Sequence, residues 1–183
     1  NGQDVTRLPM YQRAQLGMGY LAQEPSIFRR LSVLDNLLAI LETRPMTKAQ
    51  RVQRANELMA QFDLTKCRKQ NAVTLSGGER RKLEIARALV TEPRLILLDE
   101  PFSGVDPVAV EELQREIRKL RDEDDIAMLV TDHNVHHILA VCDRVYVIFE
   151  GKVFASGTPK EIVNNDQVRK LYLGSTFRGD EFG

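Results

Sequence analysis

Two cysteines occur in the 183 residues, Cys67 and Cys142, far apart and in no CxxC pair. A disulfide framework or a zinc site is therefore excluded as an organising device, and reduced thiols are the simpler reading. No apolar run approaches the roughly 18 residues needed to span a bilayer. Charge of one sign is also missing: 26 Lys and Arg balance 26 Asp and Glu. Non-specific nucleic-acid binding needs a broad basic field that this chain lacks. The N-terminus has none of the features of a signal peptide. It does not begin with Met either. Asn1-Gly2-Gln3-Asp4 reads as a turn, so an upstream segment is expected. What is present, 43% hydrophobic and 28% charged residues, is the balance of a globular chain rather than a disordered one. The length suits one domain, or one domain with a small satellite.

Short apolar runs alternate with helical patterns. Met18 to Ala22, Leu95 to Asp99, Ala127 to Thr131 and Arg144 to Phe149 read as strands. Continuous apolar runs suit a sheet covered on both faces, which predicts an α/β fold with a mostly parallel sheet. The Glu150-Gly151 turn between Val145 and Gly157 predicts a hairpin. Helix starts are marked at Ser32, Thr47, Ser76 and Thr158, each followed three positions on by an acid or glutamine. Asp106-Pro107 is an N-cap with proline at the first helical position. The stretch 27–92 holds helices and no convincing strand, with Val52, Ala55, Leu58, Met59 and Phe62 on one helical stripe.

Three places carry chemistry. Leu95 to Leu98 delivers two adjacent acids, Asp99 and Glu100, to the carboxyl end of a buried strand, where α/β sheets bind ligands. One acid can hold Mg²⁺ while the next polarises a water; a strand running into an acidic loop would look the same. Ser76-Gly77-Gly78-Glu79 places two glycines in a first helical turn, each costing about 1 kcal/mol relative to alanine. Close backbone approach would repay that cost, and a helix N-terminus with a serine hydroxyl attracts phosphate. His133 follows the third strand, as Gln23 follows the first; a lone His or Gln is more often structural. His136 and His137 read as surface residues of the next helix.

In order, Gln23-Glu24, Leu75-Ser76-Gly77-Gly78-Glu79, Asp99-Glu100-Pro101, Ser103-Gly104-Val105-Asp106 and Thr131-Asp132-His133 resemble the Q-loop, signature, Walker B, D-loop and switch histidine of the nucleotide-binding subunits of ATP-binding-cassette (ABC) transporters. The resemblance covers essentially the whole chain. It implies a P-loop NTPase-like (RecA-like) core with a helical subdomain inserted after the Q-loop: residues 1–26 as partial core, 27–92 as helical subdomain, and 93–183 as core with C-terminal hairpin and helix. It implies ATP and Mg²⁺ as cofactors. Asp99 and Gln23 would serve the metal, Glu100 would be the general base, and His133 would contact the γ-phosphate. Ser76, Gly77 and Gly78 would close the ATP of a partner in a head-to-tail homodimer, with Asp106 at the interface. Membrane-spanning subunits would dock on the segment from Gln23 to Asn36, through Phe28 and Leu31 with Arg29 and Arg30 at the rim; Phe28 and Leu31 as core residues are the bland alternative. The subunit would sit on the cytoplasmic face of the inner membrane and bind no nucleic acid.

Within the family, Gln23 to Leu37, Thr131 to Val135, Leu139 to Asp143, Leu171 to Gly174 and Phe177-Arg178 are similar to the branch that drives lipopolysaccharide export. Importers of branched-chain amino acids share much of this pattern, but their stretch after the Q-loop usually lacks Ser26-Ile27-Phe28-Arg29-Arg30. A soluble ABC ATPase acting on nucleic acid or the ribosome is opposed by the short spacing from Gln23 to Ser76 and by the zero net charge. One family motif does not occur: the chain has no G-x-x-x-x-G-K-S/T, whose backbone and lysine cradle phosphates. The expectation is that this N-terminal P-loop portion lies upstream and that the 183 residues alone are inactive and prone to aggregate, with strand edges left unpaired.

Overall fold

A computed structural model describes residues 2–173, which fall into two compact units, Asn1–Leu129 and Val130–Gly183. In the first unit, α1 (Met10–Gln15) leads into β1 (Met18–Leu21). Helices follow: α2 (Val33–Leu41), α3 (Lys48–Gln61) and α4 (Gly77–Leu89), with 3₁₀ turns at Thr65–Cys67 and Ala72–Thr74. Among the described residues, 27–92 contains no strand beyond an isolated bridge between Ser32 and Asn71, as its patterning predicts. Then come β2 (Leu95–Asp99) and α5 (Pro107–Asp122), and β3 (Ala127–Thr131) spans the boundary between the units at Leu129.

The strands lie in the order β1-β2-β3. β1 and β2 run parallel, Met18 opposite Leu95 through Leu21 opposite Leu98. β1 stops one residue short of the expected Ala22, whose carbonyl accepts from the Arg81 side chain rather than joining the ladder. Each helix start obeys its local signal. Thr47 and Ser76 form complete capping boxes with Gln50 and Glu79, Ser32 accepts from the Asp35 N–H, and Asp106 caps α5 ahead of Pro107. Buried stripes on these helices supply the core: Val33, Leu37 and Leu41 on α2; Ala55, Leu58 and Met59 on α3; Leu83, Ile85 and Leu89 on α4; Leu113, Ile117 and Leu120 on α5. Phe62 is buried just beyond α3, and Val52 is only half-buried at the edge of the α3 stripe.

The second unit holds α6 (Val135–Val141), the antiparallel pair β4 (Val145–Phe149) and β5 (Lys152–Gly157), α7 (Pro159–Val163) and α8 (Asp166–Val168). Glu150 and Gly151 both take positive φ, the two-residue turn whose twist suits a hairpin. β4 begins at Val145, not Arg144; the ladder ends where Val145 pairs with Gly157, the last residue of β5, and the Arg144 guanidinium lies over the Tyr146 ring with its Nε donating to that hydroxyl. Leu139, Val145, Ile162, Val163 and Val168 form this unit's core. Gly174, Phe177 and Arg178, part of the sequence likeness above, lie outside the described residues. No helix among the described residues is long and apolar enough to cross a membrane.

Candidate functional site

The parallel register positions the first pair of functional side chains. Continued past the strand ends, the β1–β2 pairing brings Gln23 level with Glu100, and the Gln23 amide Nε2 donates to the Glu100 carboxylate at 2.9 Å. Asp99, the last residue of β2, accepts from the Tyr20 hydroxyl at 3.5 Å. Two carboxylates and an amide thus gather at one carboxyl edge, where a ligand of an α/β sheet is expected. Glu100 has φ 42°, a left-handed conformation that costs a non-glycine residue about 1–2 kcal/mol. Strain of this kind persists only where surrounding contacts over-determine it. Among the described residues no group of three or more metal-ligating side chains forms. Mg²⁺ needs no such cage, because it takes one or two carboxylates and fills its other positions with water and phosphate. The donor set at Asp99 and the carbonyl oxygen of Gln23 fits that habit.

Ser76 caps α4: its hydroxyl accepts from the Glu79 N–H at 3.2 Å, and Glu79 accepts the Ser76 N–H at 2.9 Å. The Ser76 N–H holds the Glu79 carboxyl below its ordinary value, helped by the Cys67 thiol, which donates to it at 3.2 Å. Burial pushes the Cys67 thiol up in turn. Gly77 and Gly78 open the helix, and the first N–H groups of a helix have no internal acceptor. The glycines also answer a need inside the chain. A Cβ on Gly78 would lie 2.5 Å from the Ala109 Cβ, and one on Gly77 would lie 3.0 Å from the Gly104 carbonyl oxygen. The glycine signal that predicts phosphate approach therefore has an intramolecular cause as well: the first turn of α4 packs on the loop at Gly104 and on α5 at Ala109.

Phe28 is 43% exposed and Leu31 37%, so neither is a core residue; Arg29 and Arg30 are exposed as expected. Asn36, fully buried on α2, ties the loop down. Its side chain accepts the Phe28 N–H and donates to the carbonyls of Phe28 and Ser32. The Arg87 guanidinium stacks 4.5 Å from the Phe28 ring centre and donates to the Ser26 carbonyl at 2.7 Å.

In the second unit His133 is largely exposed, while Asp132 beside it is buried. His137 is not the surface residue expected: its side chain is 23% exposed, with Nδ1 at 3.7 Å from Asp132 Oδ1. It sits against the buried Asp132 side chain and within 3.3 Å of the Asn134 amide, contacts between residues that the spacing of the helix alone does not show.

Two polar residues that motif reading passed over stand out by burial. Arg81 and Glu84, on α4, are 5% and 4% exposed and form an ion pair at 2.9 Å. Their charged types inside a helix otherwise read as its solvated face. The one available signal was their place in the stretch 81–86, which also holds Leu83, Ile85 and Ala86 and is buried at every position.

Residues 1–103 match the profile of the family described as ABC transporter, and residues 152–178 match that of the branched-chain amino acid ATP-binding cassette transporter. The chain is 52% identical over 176 residues to the lipopolysaccharide export system ATP-binding protein LptB of Escherichia coli K12, covering 96% of this chain and 73% of that protein. It is 51% identical to the protein of the same name in Acidithiobacillus ferridurans, covering 96% and 72%. Among solved structures, the ADP conformation of the ATP-binding cassette MJ1267 superposes with a TM-score of 0.80 at 27% identity, covering 94% of this chain and 74% of that one.

Proposed function

The chain belongs to the ABC transporter family of ATP-binding subunits, and from that membership we propose that it hydrolyses ATP at the Gln23–Asp99–Glu100 edge to drive lipopolysaccharide export. The observation that carries the reading is the Gln23 amide on the Glu100 carboxylate, beside Asp99. A carboxylate so placed can take a proton from an attacking water. The amide hydrogen bond orients it and leaves the glutamine carbonyl oxygen for water or metal. Asp99 and Gln23 would hold Mg²⁺, which when bound neutralises charge on the phosphates. His133 would contact the γ-phosphate. Ser76, Gly77 and Gly78 would meet the nucleotide of a second copy in a head-to-tail dimer, with Asp106 at that interface. The phosphate-cradling G-x-x-x-x-G-K-S/T that this reading needs is not among the 183 residues, so measurements belong on the full subunit.

Lipopolysaccharide as cargo rests on the similarity to the two LptB proteins, at 52% and 51% identity. Import of branched-chain amino acids is the second reading, favoured by the match over residues 152–178. Depleting the subunit separates them: lipopolysaccharide arrested at the inner membrane supports export, whereas loss of leucine uptake with normal surface lipopolysaccharide supports import. Under either reading the subunit binds the cytoplasmic face of the membrane through partner subunits. In this reading residues 1–26 and 93–183 belong to the core and 27–92 to the helical subdomain.

Glu100→Gln tests the chemistry. The substitution keeps shape and a hydrogen-bonding oxygen but cannot accept a proton. ATP binding should persist while turnover falls by about 10² to 10⁴, the usual contribution of a general base. Wild-type turnover in a folded variant would remove Glu100 from the role of base.

A further inference from the structure

We propose that Arg81, held in place by Glu84, is a positioning residue for hydrolysis: it sets the backbone that aims Gln23 and Glu100 at each other. This deepens the reading of Glu100 as base and rests on it.

A guanidinium has five N–H donors in a rigid fork, and each of those of Arg81 has an acceptor. Nε donates to the Pro101 carbonyl at 2.9 Å, and Nη2 donates to the carbonyls of Asp99 at 3.0 Å and Glu100 at 2.9 Å. Nη1 donates to the Ala22 carbonyl at 2.9 Å and to Glu84 Oε2 at 2.9 Å. Four of the acceptors are main-chain oxygens at the ends of the two strands that carry the site. Glu84 repeats the pattern on the other side, its second oxygen accepting the Ser26 N–H at 2.9 Å. One buried ion pair on the signature helix therefore grips the chain on both sides of Gln23, at residues 22 and 26, and on both sides of Glu100, at residues 99 and 101.

Glu100 is the residue that needs such a grip. Its φ of 42° is unfavourable for a side chain with a Cβ. Bonds from one fork to three consecutive carbonyls restrict the rotation that would relieve it. Register brings Gln23 level with Glu100, and two backbone segments pinned to the same planar group then hold their bond at 2.9 Å. Lysine cannot replace it, having three donors on a point charge and no fork. Arg81 touches only main-chain oxygens and Glu84, not the Asp99 or Glu100 carboxylates, and neither side chain opens to solvent. It also lies on the helix whose N-terminus is Ser76-Gly77-Gly78, so a shift of α4 on engaging nucleotide would move both reacting side chains together.

Arg81→Lys, Glu100→Gln and the double variant, made in the full subunit assembled with its membrane partners, provide the test. For Arg81→Lys, kcat should fall by about 10²-fold, the loss that a misplacement near 1 Å produces. KM for ATP should stay within about threefold, since the contact is not with the nucleotide. In the Glu100→Gln background the same substitution should cost less than about threefold more, because it acts through Glu100. Glu84→Gln is the second variant, for the case that Arg81→Lys does not fold. It keeps an oxygen for the Ser26 N–H but loses the charge, and should lower kcat by roughly 10-fold with KM unchanged.

Wild-type kcat in folded Arg81→Lys would overturn the proposal. So would a full, multiplicative loss on top of Glu100→Gln, or failure of both Arg81→Lys and Glu84→Gln to fold, since these mark a structural brace. If Glu100→Gln itself turned over normally, the base assignment would fail. If Glu100→Gln were inactive and Arg81→Lys normal, the positioning role alone would fail.

Discussion

At Gly78 two requirements coincide, and a pair of substitutions separates them. A methyl group there would meet the Ala109 Cβ at 2.5 Å, and overpacking of this kind costs about 1–3 kcal/mol. Replacing glycine inside a helix returns up to about 1 kcal/mol, so Gly78→Ala should be destabilising overall, as read by denaturant unfolding. Gly78→Ala with Ala109→Gly removes the contact and should recover most of the stability. If hydrolysis by the full subunit stays low in that double variant, Gly78 has a role toward nucleotide beyond packing. If hydrolysis returns with stability, packing on α5 accounts for the glycine. The sequence shows that glycine is needed here, because its helix cost must be offset; it does not show by what. Ala109 is distant in sequence and has no mark that identifies it as the neighbour.

Among the elements, α5 contains a carboxylate out of place. Burial raises Glu116 above its ordinary 4.5, with Asp63 adding to the rise and Lys119, Lys82 and Arg115 opposing it. Its Oε2 is buried with no hydrogen-bond partner among the described residues. An acid whose folded pKa is raised is stabilising while protonated. That contribution is fully present below 4.5 and is lost as pH rises through the higher folded value. At neutral pH the ionised side chain therefore burdens the fold. Glu116→Gln should unfold at higher denaturant than wild type at pH 7, with the difference closing as pH is lowered to about 4. An equal difference at both pH values would exclude titration of Glu116 as its source. Helices such as α5 were legible from sequence because caps and stripes are local: Asp106-Pro107 and the spacing of Val110, Leu113, Ile117 and Leu120 lie within one segment. Whether one polar position on that helix is buried depends on what packs over it, which the segment itself does not state.

On the scale of the whole molecule, Phe28 is the proposed anchor for a membrane partner. An exposed aromatic backed by the Arg87 guanidinium, on a loop pinned by buried Asn36, has the preorganisation such an anchor would need. Phe28→Ala in the full subunit should weaken recovery of its membrane partners, by up to about 2 kcal/mol if Phe28 is a hot spot. Basal hydrolysis by the isolated subunit should change much less. Copurified partner and turnover measured together distinguish this from unfolding, which would lower both. Ser26 joins this surface to the helix that holds Gln23 and Glu100, since its N–H is held by Glu84 and its carbonyl by Arg87.

The order of motifs, the capping residues, the apolar strands and the hairpin turn were determined by the sequence itself, because each is written in a few adjacent residues and acts through local backbone chemistry. Asp99 and Glu100 at a strand end belong to this group. Only the tertiary structure decided that Gln23 reaches Glu100, that Gly78 faces Ala109, that Phe28 stays outside the core, and that Arg81 is buried against four carbonyls. Register between separated strands sets the first, and packing between separated elements sets the next two. The last has the plainest cause: a main-chain carbonyl is the same group on every residue, so nothing in the sequence marks which ones an arginine will find.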